Sequence, residues 1–258
     1  MILGIRSSIY SVLAPFLKDQ VYMQRTGLAT GLKRRGGFGF LPIQKPLSRE
    51  HLFLSRLDFT GKTIYDVGGH IGLISMFFAR AVGRSGRVIA FEPNPDNVAA
   101  IRDHIALNGF ANILVLPIGL GRRRETLKFV VPNSSARGTA HPDLQERYLK
   151  QTGVQVFEIN VDTLDHQIAV NQLPTPDFVK IDVEGLELDV LHGMAQTLDA
   201  HRPTLWIELH DADSPEVARH LLAKNYCLRQ IEDEYELAAD NVATAHGHLY
   251  AIPLSNDK

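Results

Sequence analysis

The sequence is poor in cysteine and in long apolar runs, and both shortages exclude classes of protein. Its 258 residues contain a single cysteine, Cys227, which excludes an intrachain disulfide and a multi-cysteine metal site. A lone thiol is typical of a reducing compartment. No run of about 18 apolar residues occurs, so the sequence shows no membrane-spanning helix. Because the first residues also lack the pattern of a secretory signal, a cytoplasmic location is expected.

Charge is unevenly distributed along the chain, although the net charge is only −2. Residues 1–49 hold eight Lys or Arg and one acid, Asp19, so the remainder carries a net charge of −9. An acidic body argues against a nucleic-acid partner, because nucleic-acid binders present basic surfaces. The basic segment is interpreted as a solvated arm. Contact with a membrane surface, an anionic substrate or a second copy of the chain in a homo-oligomer stays open.

From Gly61 onward, short apolar runs alternate with segments of helical periodicity. This alternation, with short connections, requires a parallel sheet with right-handed crossovers. Five runs are predicted to be its parallel strands: 63–67, 87–91, 113–117, 178–181 and 204–209. Residues 227–231 and 248–253 are predicted to close the sheet as an antiparallel pair. The periodicity between Leu186 and Leu198 predicts one helix.

The segments outside this alternation are predicted to flank or cover it. Residues 1–60 are interpreted as an N-terminal basic and helical extension, with one amphipathic helix between Ile2 and Phe16 and another over 47–57. Residues 61–258 are predicted to form the main domain. Within it, residues 120–160 are expected to be an inserted hairpin with a helix in its connection. Residues 133–153 and the basic segment should cover the ligand-binding edge of the sheet, because lids are commonly such loops.

Acidic residues end four of the predicted parallel strands, namely Asp66, Glu92, Asp182 and Glu208. In an open α/β sheet, ligands bind beyond the carboxyl ends of the strands, so these carboxylates should gather at one edge. Like charges in such proximity repel one another unless a positive ligand faces them. The pattern therefore indicates a cationic cofactor or a metal ion.

A glycine-rich turn, DVGGHIG, follows the first strand and begins at Asp66. Gly68 and Gly69 permit a tight turn, and Gly72 permits close packing of the next helix. Nicotinamide dehydrogenases use a similar turn. An acid directly before the glycines, however, suits an ammonium or sulfonium group better than a pyrophosphate. A carboxylate at the position of Glu92 can bind both hydroxyls of a ribose.

Four segments in this order, DVGGHIG, FEPNPDN, DFVKIDVEGLELDVLHGM and LWIELH, resemble the FkbM-like family of S-adenosylmethionine-dependent methyltransferases. The resemblance covers about residues 61–210. It implies an α/β class I methyltransferase fold: a Rossmann-like sheet of seven strands, ordered 3-2-1-4-5-7-6, with helices on both faces. It also implies methyl transfer to a hydroxyl of a small molecule such as a sugar or a polyketide.

The resemblance also assigns residues to the parts of the cofactor S-adenosylmethionine. It places Asp66, Gly68 and Gly72 around the methionine moiety and Glu92 on the ribose. Family members often have Asn where this chain has His70. The complete predicted set is Asp66, Gly68, Gly69, His70, Gly72, Glu92, Pro93 and Asn94.

Methyl transfer to oxygen requires a group that removes the hydroxyl proton. Asp182 is the first candidate base. His210 is the second, because its ordinary pKa of about 6.5 suits proton acceptance. Glu184 is a third candidate, although an acid in the first turn of a helix also stabilises its dipole. No metal is required, but if magnesium assists, Asp182, Glu208 and His210 would hold it. Four other histidines are interpreted as surface residues: His51, His104, His166 and His220.

Two other functions stay open as alternatives. A nicotinamide-dependent oxidoreductase would use a related sheet, but the sequence has neither a Gly-x-Gly-x-x-Gly turn nor a Tyr-x-x-x-Lys set. A non-catalytic cofactor-binding protein would keep the fold and lose the chemistry. The glycines and acids of the predicted site favour an enzyme over this last alternative.

Overall fold

The computed structural model describes residues 19–37, 47–132, 138–210 and 214–254. The helix predicted between Ile2 and Phe16 lies outside these residues, as do residues 133–137 of the predicted cover. Within the described ranges, no helix is long and apolar enough to cross a membrane.

The strands and helices of the described chain are numbered in chain order. The strands are β1 (Val21–Met23), β2 (Lys33–Arg35), β3 (Thr63–Val67), β4 (Arg87–Phe91), β5 (Ile113–Leu116), β6 (Gly119–Leu120), β7 (Glu125–Val131), β8 (Gln155–Asp162), β9 (Phe178–Ile181), β10 (Thr204–Leu209), β11 (Tyr226–Gln230), β12 (Tyr235–Leu237) and β13 (Gly247–Pro253). The α-helices are α1 (Arg49–Ser55), α2 (Leu73–Val82), α3 (Pro95–Asn108), α4 (Pro142–Leu149), α5 (Leu164–Asn171), α6 (Glu187–Gly193), α7 (Ala195–Ala200) and α8 (Ser214–Ala223).

The largest sheet has eight strands in the spatial order β12-β11-β13-β10-β9-β3-β4-β5. The five strands from β10 to β5 pair in parallel, as the alternation predicted. The predicted antiparallel pairing of β11 with β13 is confirmed. The expected count of seven strands is wrong by one, because the chain turns back after β11 and adds β12 as an antiparallel edge strand.

The central strands are apolar along their length because helices cover both faces of the sheet. Successive side chains of a strand point to opposite faces. Ile64 and Phe178 therefore pack on one face with residues of α1 and α2. Their neighbours Tyr65 and Val179 pack on the other face with residues of α6, α7 and α8. This two-sided core fixes the sheet and, with it, the edge at which the strands end.

Residues 119–162 contain the inserted hairpin, and its pairing is confirmed. Strands β7 and β8 pair antiparallel from Glu125 opposite Val161 to Val131 opposite Gln155. The two-residue β6 adds a third strand alongside β8, and α4 lies in the connection between β7 and β8. Phe129 and Ile159 contribute to a small apolar cluster between the two long strands. The insertion therefore has a hydrophobic core of its own.

Two parts of the N-terminal segment pack against the main sheet and its helices. Strands β1 and β2 form a hairpin, and Leu32 beside it is buried against Met76 of α2. The side-chain amide of Asn108 at the end of α3 donates to Lys33 O over 2.7 Å. On the other side, Phe53 of α1 stacks on Trp206 with ring centroids 5.6 Å apart. The described N-terminal residues therefore belong to the same packed body as the sheet.

Candidate active site

A cavity of about 280 Å³ opens at the carboxyl ends of β3, β4, β9 and β10. This is the edge at which open α/β sheets bind ligands. The glycine turn after β3, the end of β4 and the loop after β9 form one part of its wall. Residues of α1, β13 and the insertion form the rest, among them His51, His248 and Phe129.

The turn after β3 can be built only with glycine at position 68. Gly68 has a φ of 80°, and a Cβ there would lie 1.9 Å from Asp182 O. The N–H groups of Gly68 and Gly69 both donate to Phe91 O over 3.0 Å. Gly72 has a φ of 83° and approaches Ile101 of α3 closely. The turn is therefore held against β9 on one side and β4 on the other, and both Gly68 and Gly69 line the cavity.

Lys180 lies beneath this turn, and the sequence analysis did not single it out. Its buried Nζ donates to Gly68 O over 2.8 Å and lies 3.1 Å from Asp66 Oδ1 and 3.5 Å from Asp182 Oδ2. Burial alone lowers the pKa of this amine, but the charges of Asp66 and Asp182 outweigh it and raise the pKa. A lysine inside an otherwise apolar strand, FVKI, was the signal that could have found it.

Asp66, which was predicted to contact a cofactor, does not line the cavity. Its side chain is fully buried, accepts a hydrogen bond from Ser75 Oγ and pairs with Lys180. A buried carboxylate needs such partners, because an uncompensated charge in the interior is costly. Asp66 therefore supports the glycine turn through Lys180.

Glu92 is buried at the end of β4 and lines the cavity. It accepts hydrogen bonds from His70 N over 2.7 Å, from Asn94 N over 2.9 Å and from Asn97 Nδ2 over 3.3 Å. Burial raises the pKa of this carboxyl, and the three donors together with Lys180 oppose that effect. The carboxylate is thus fixed in orientation with part of its accepting capacity left toward the cavity.

The residues that follow Glu92 divide between the cavity and the next helix. Pro93 lines the cavity, as does His70 from the glycine turn. Asn94, which was predicted to lie beside an adenosine, does not line the cavity. Its side chain accepts from Asp96 N over 3.0 Å and caps α3. Asn97, one turn into that helix, lines the cavity instead and was missed by the sequence analysis.

His210 lies among carboxylates and does not line the cavity. Its Nδ1 is 3.0 Å from Glu187 Oε1, and its Nε2 is 3.6 Å from both Glu184 and Glu208 and 4.0 Å from Asp182. Burial lowers the pKa of His210, but the hydrogen bond with Glu187 and the surrounding negative charges raise it to about 9. A raised pKa favours the protonated ring and opposes proton acceptance at neutral pH. The role of His210 as second base stays a prediction.

The same protonation bears on the residues named for a metal ion. Ligand atoms of Asp182, Glu208 and His210 lie within 4.8 Å of one another. A metal ion there would have to displace the imidazole proton, because a histidine ligand binds a metal in its neutral form. Magnesium at this cluster stays a prediction.

Glu187, which the sequence analysis also missed, fixes the loop after β9. Its buried Oε1 accepts from Gly185 N over 3.1 Å and contacts the imidazole of His210. Glu184 in this loop has a φ of 52° and lines the cavity. The insertion reaches the same loop, because Thr139 Oγ1 donates to Glu184 O over 2.8 Å. The predicted cover therefore contacts the candidate catalytic loop.

The far end of the cavity is formed by β10, β13 and α1. Glu208 Oε2 lies 3.5 Å from His248 Nε2, and the other ring nitrogen of His248 lies 2.6 Å from Glu232. Burial lowers the pKa of His248, but these two carboxylates raise it above its ordinary value. Trp206 is buried, as a core residue would be, yet it also lines the cavity.

Two histidines that were interpreted as surface residues are partly or fully buried. His51 is half-buried and lines the cavity. Burial lowers the pKa of its imidazole, and the positive charge of His248 lowers it further. His104 is buried, with Nδ1 2.8 Å from Ile71 O. Neither position could be inferred from local periodicity, because each depends on a partner distant in the chain.

A mainly parallel sheet with a glycine turn after one strand and a carboxylate after the next defines a Rossmann-like α/β protein. Residues 66–236, more than half of the chain, match the family model described as the Methyltransferase FkbM domain. The chain belongs to this family. The resemblance read from its four motifs is thereby confirmed.

Individual relatives agree with this assignment. The hexuronic acid methyltransferase AglP of Haloferax volcanii is 27% identical over 161 residues, which cover 62% of this chain and 61% of AglP. Methyltransferase 1 of Beauveria bassiana is 26% identical over 144 residues, or 51% of this chain and 57% of the relative. The chain thus spans about three fifths of the length of these curated relatives.

One solved structure is similar in fold. The crystal structure of Methyltransferase FkbM from Methylobacillus flagellatus KT superposes with a TM-score of 0.51 at 19% identity, over 76% of this chain and 45% of that one. At this identity the likeness shows the α/β fold alone.

Proposed function

We propose that the protein transfers the methyl group of S-adenosylmethionine to a hydroxyl oxygen of a small molecule. The observation that carries the proposal is the buried carboxylate of Glu92, fixed by three donors at the cavity wall. A carboxylate in this place after the second strand suits the two hydroxyls of a ribose. When bound, S-adenosylmethionine would supply an activated methyl group on a positive sulfonium.

The sheet and the cavity wall suit this cofactor in further respects. Without the edge strand β12, the main sheet has seven strands: β3, β4, β5, β9, β10, β11 and β13. If these are numbered 1 to 7 in chain order, their spatial order is 3-2-1-4-5-7-6, the order that the resemblance implies. Gly68, Gly69 and His70 offer the cofactor's amino-acid end a close backbone approach. Phe91 and Leu120 provide an apolar wall for the adenine, with Gly119 beside them in place of the acid that many methyltransferases have.

The protein's own groups would hold the positive charge and exclude water. Asp182, Glu184 and Glu208 line the cavity beyond the glycine turn, where their negative charges attract a sulfonium. The insertion closes one side through Phe129 and Ala140. We therefore retain residues 61–258 as the methyltransferase domain, with 120–160 as its cover and 1–60 as an extension that contributes α1.

The acceptor class is proposed from the same cavity and from one relative. AglP is a hexuronic acid methyltransferase, which supports a sugar or a similarly hydroxylated molecule as acceptor. D-Glucose, D-glucosamine and D-glucuronic acid share one ring and differ in charge. Incubation of each with the protein and S-adenosylmethionine, followed by mass spectrometry, should give a product heavier by one methylene. A methylated amine rather than an ether from glucosamine would contradict transfer to oxygen.

Glu92→Ala should weaken the binding of S-adenosylhomocysteine by roughly 1.5–3 kcal/mol, or about 10- to 150-fold, since it removes hydrogen bonds to a charged group. Titration calorimetry gives the dissociation constant directly. Glu158→Ala is the matched control, because Glu158 is an exposed carboxylate on β8.

Melting temperatures should show that both variants are folded, and Glu92→Gln substitutes if the alanine variant is not. Unchanged affinity in a folded Glu92 variant would remove this residue from the site. Tighter binding of NAD than of S-adenosylhomocysteine would overturn the proposed cofactor in favour of a nicotinamide-dependent oxidoreductase. Binding without transfer to any hydroxyl acceptor would favour the non-catalytic alternative.

A further inference from the structure

The histidines at the acidic end of the cavity already face carboxylates. His210 does not line the cavity, and its ring nitrogens lie within 3.6 Å of Glu184, Glu187 and Glu208. The two ring nitrogens of His248 lie 3.5 Å from Glu208 and 2.6 Å from Glu232. Asp182 lies 3.5 Å from the Lys180 ammonium and 4.0 Å from His210, so two cations already engage its carboxylate. The proton of an acceptor hydroxyl therefore needs another destination.

Helix α1 brings a different histidine to this place. Glu50, His51 and Leu54 share one face of the helix, and all three line the cavity. The helix is held there by Phe53, whose ring lies 5.6 Å from that of Trp206 and 5.0 Å from that of Tyr250. His51 is therefore fixed at the end of the cavity formed by β10 and β13.

The groups around His51 favour its neutral form. Burial of the ring is the largest effect and lowers its pKa. Glu50 on the same helix and Glu208 on β10 act in the opposite direction, while the positive charge of His248 on β13 adds to the lowering. A neutral imidazole has a free lone pair and can accept a proton, as a general base must.

We propose that His51 is the base that accepts the proton of the acceptor hydroxyl. This inference rests on the proposed function. As the acceptor oxygen forms its bond to the methyl carbon, the carbon–sulfur bond breaks and its electron pair goes to sulfur. The O–H bond breaks and the proton moves to the imidazole, which later releases it to water. The products are a methyl ether and a neutral thioether, so charge and atoms balance.

The position of His51 can be tested without knowledge of the acceptor. The pKa of its imidazole is measured by NMR in the complexes with S-adenosylhomocysteine and with S-adenosylmethionine, with the resonance assigned through His51→Gln. A sulfonium nearby should lower that pKa by at least about half a unit relative to the thioether complex. The exposed His201 is the control and should shift by less than about 0.1 unit. Equal pKa values for His51 in the two complexes would overturn the inference.

Kinetics test the proton transfer itself, with D-glucose, D-glucosamine and D-glucuronic acid as probes. The rate should rise with pH through the pKa of His51. His51→Gln should lower the rate by about 100-fold and abolish this rise, with S-adenosylhomocysteine affinity within about two-fold of the parent. His201→Gln should change neither. Persistence of the pH rise in His51→Gln, or its loss in Asp182→Asn alone, would assign the base elsewhere.

The outcomes separate this inference from the proposed function. Failure of both cofactor forms to bind would refute the proposed function. Binding that depends on Glu92, together with a His51 pKa that is indifferent to the sulfonium, would refute only the role of His51. Where no probe sugar is methylated, the NMR comparison decides.

Discussion

Several charged side chains at the edge of the cavity are paired with neighbours of opposite charge. Lys180 lies between Asp66 and Asp182, and His210 contacts Glu187. Glu208 lies within 3.6 Å of both His210 and His248. Removal of one member of such a set leaves its partner buried without compensation, which costs more than the pair contributes. Substitutions here should therefore conserve shape, and charge changes should be interpreted through the partners.

His210 makes stability depend on pH. Because its pKa is raised from 6.5 to about 9, its contribution is fully present below pH 6.5 and is lost as the pH rises through 9. Denaturant unfolding of the parent protein should lose up to about 3 kcal/mol over this interval. His210→Gln should be less stable at pH 6 and should lose less over the same interval. An identical pH profile in His210→Gln and the parent, with His201→Gln as control, would contradict the raised pKa.

At the scale of single residues, the sequence predicted the residues that follow strands. It missed those whose positions depend on packing between elements that are distant in the chain. Glu92 and Asp182 could be placed because apolar runs define where strands end, and strand ends define the ligand edge. Lys180 could not be recognised in this way, because it lies inside an apolar strand rather than after it. His51 was beyond reach, because its place depends on how Phe53 packs against Trp206, a contact across about 150 residues.

Among the elements, the glycine turn after β3 is the most constrained. Gly68→Ala should greatly weaken cofactor binding and destabilise the fold, because the new Cβ would lie 1.9 Å from Asp182 O. Gly109 is the matched control: it has a φ of 68° and nothing within 4 Å of its Cβ position. Gly109→Ala should therefore cost only the left-handed strain of about 1–2 kcal/mol and leave binding unchanged. Calorimetry and denaturant unfolding of the two variants measure both effects, and equal losses would contradict the argument.

For whole elements, too, sequence prediction fails where the structure depends on a segment that is distant in the chain. The five parallel strands were predictable, because strands covered on both faces are continuous apolar runs. The single helix predicted between Leu186 and Leu198 is instead two, divided at Met194. There the side chain of Asp165, from α5, accepts hydrogen bonds from Gln196 N and Thr197 N and caps α7. Local periodicity contains no information about a cap supplied by another helix.

At the scale of the whole molecule, the N-terminal hairpin contributes to stability, and none of its described residues lines the cavity. Leu32→Ala should lower the free energy of unfolding by about 2–5 kcal/mol, because Leu32 is buried against Met76. Leu149 is 45% exposed, and Leu149→Ala should change stability by less than about 0.5 kcal/mol. Binding of S-adenosylhomocysteine by Leu32→Ala should stay within about two-fold of the parent. A large loss of affinity in the folded variant would connect the hairpin to the site.

The far end of the cavity is assembled from both flanks of the family-matched region. That region covers residues 66–236, whereas α1 precedes it and β13 follows it. His51 and His248 thus reach the cavity from segments that the family model does not include. The glycine turn after β3 and Glu92, by contrast, lie within the matched region.

The charge of the cavity has a consequence for the end of each catalytic cycle. Five carboxylates line it: Glu50, Glu92, Asp182, Glu184 and Glu208. Lys180, His248 and the neighbouring His210 balance these five negative charges only in part. In the proposed reaction the spent cofactor has lost the positive charge that its reactive form carries. The wall therefore retains the spent form less strongly and favours its replacement by a fresh molecule. Relief from product inhibition would thus follow from fixed charges, without a conformational change.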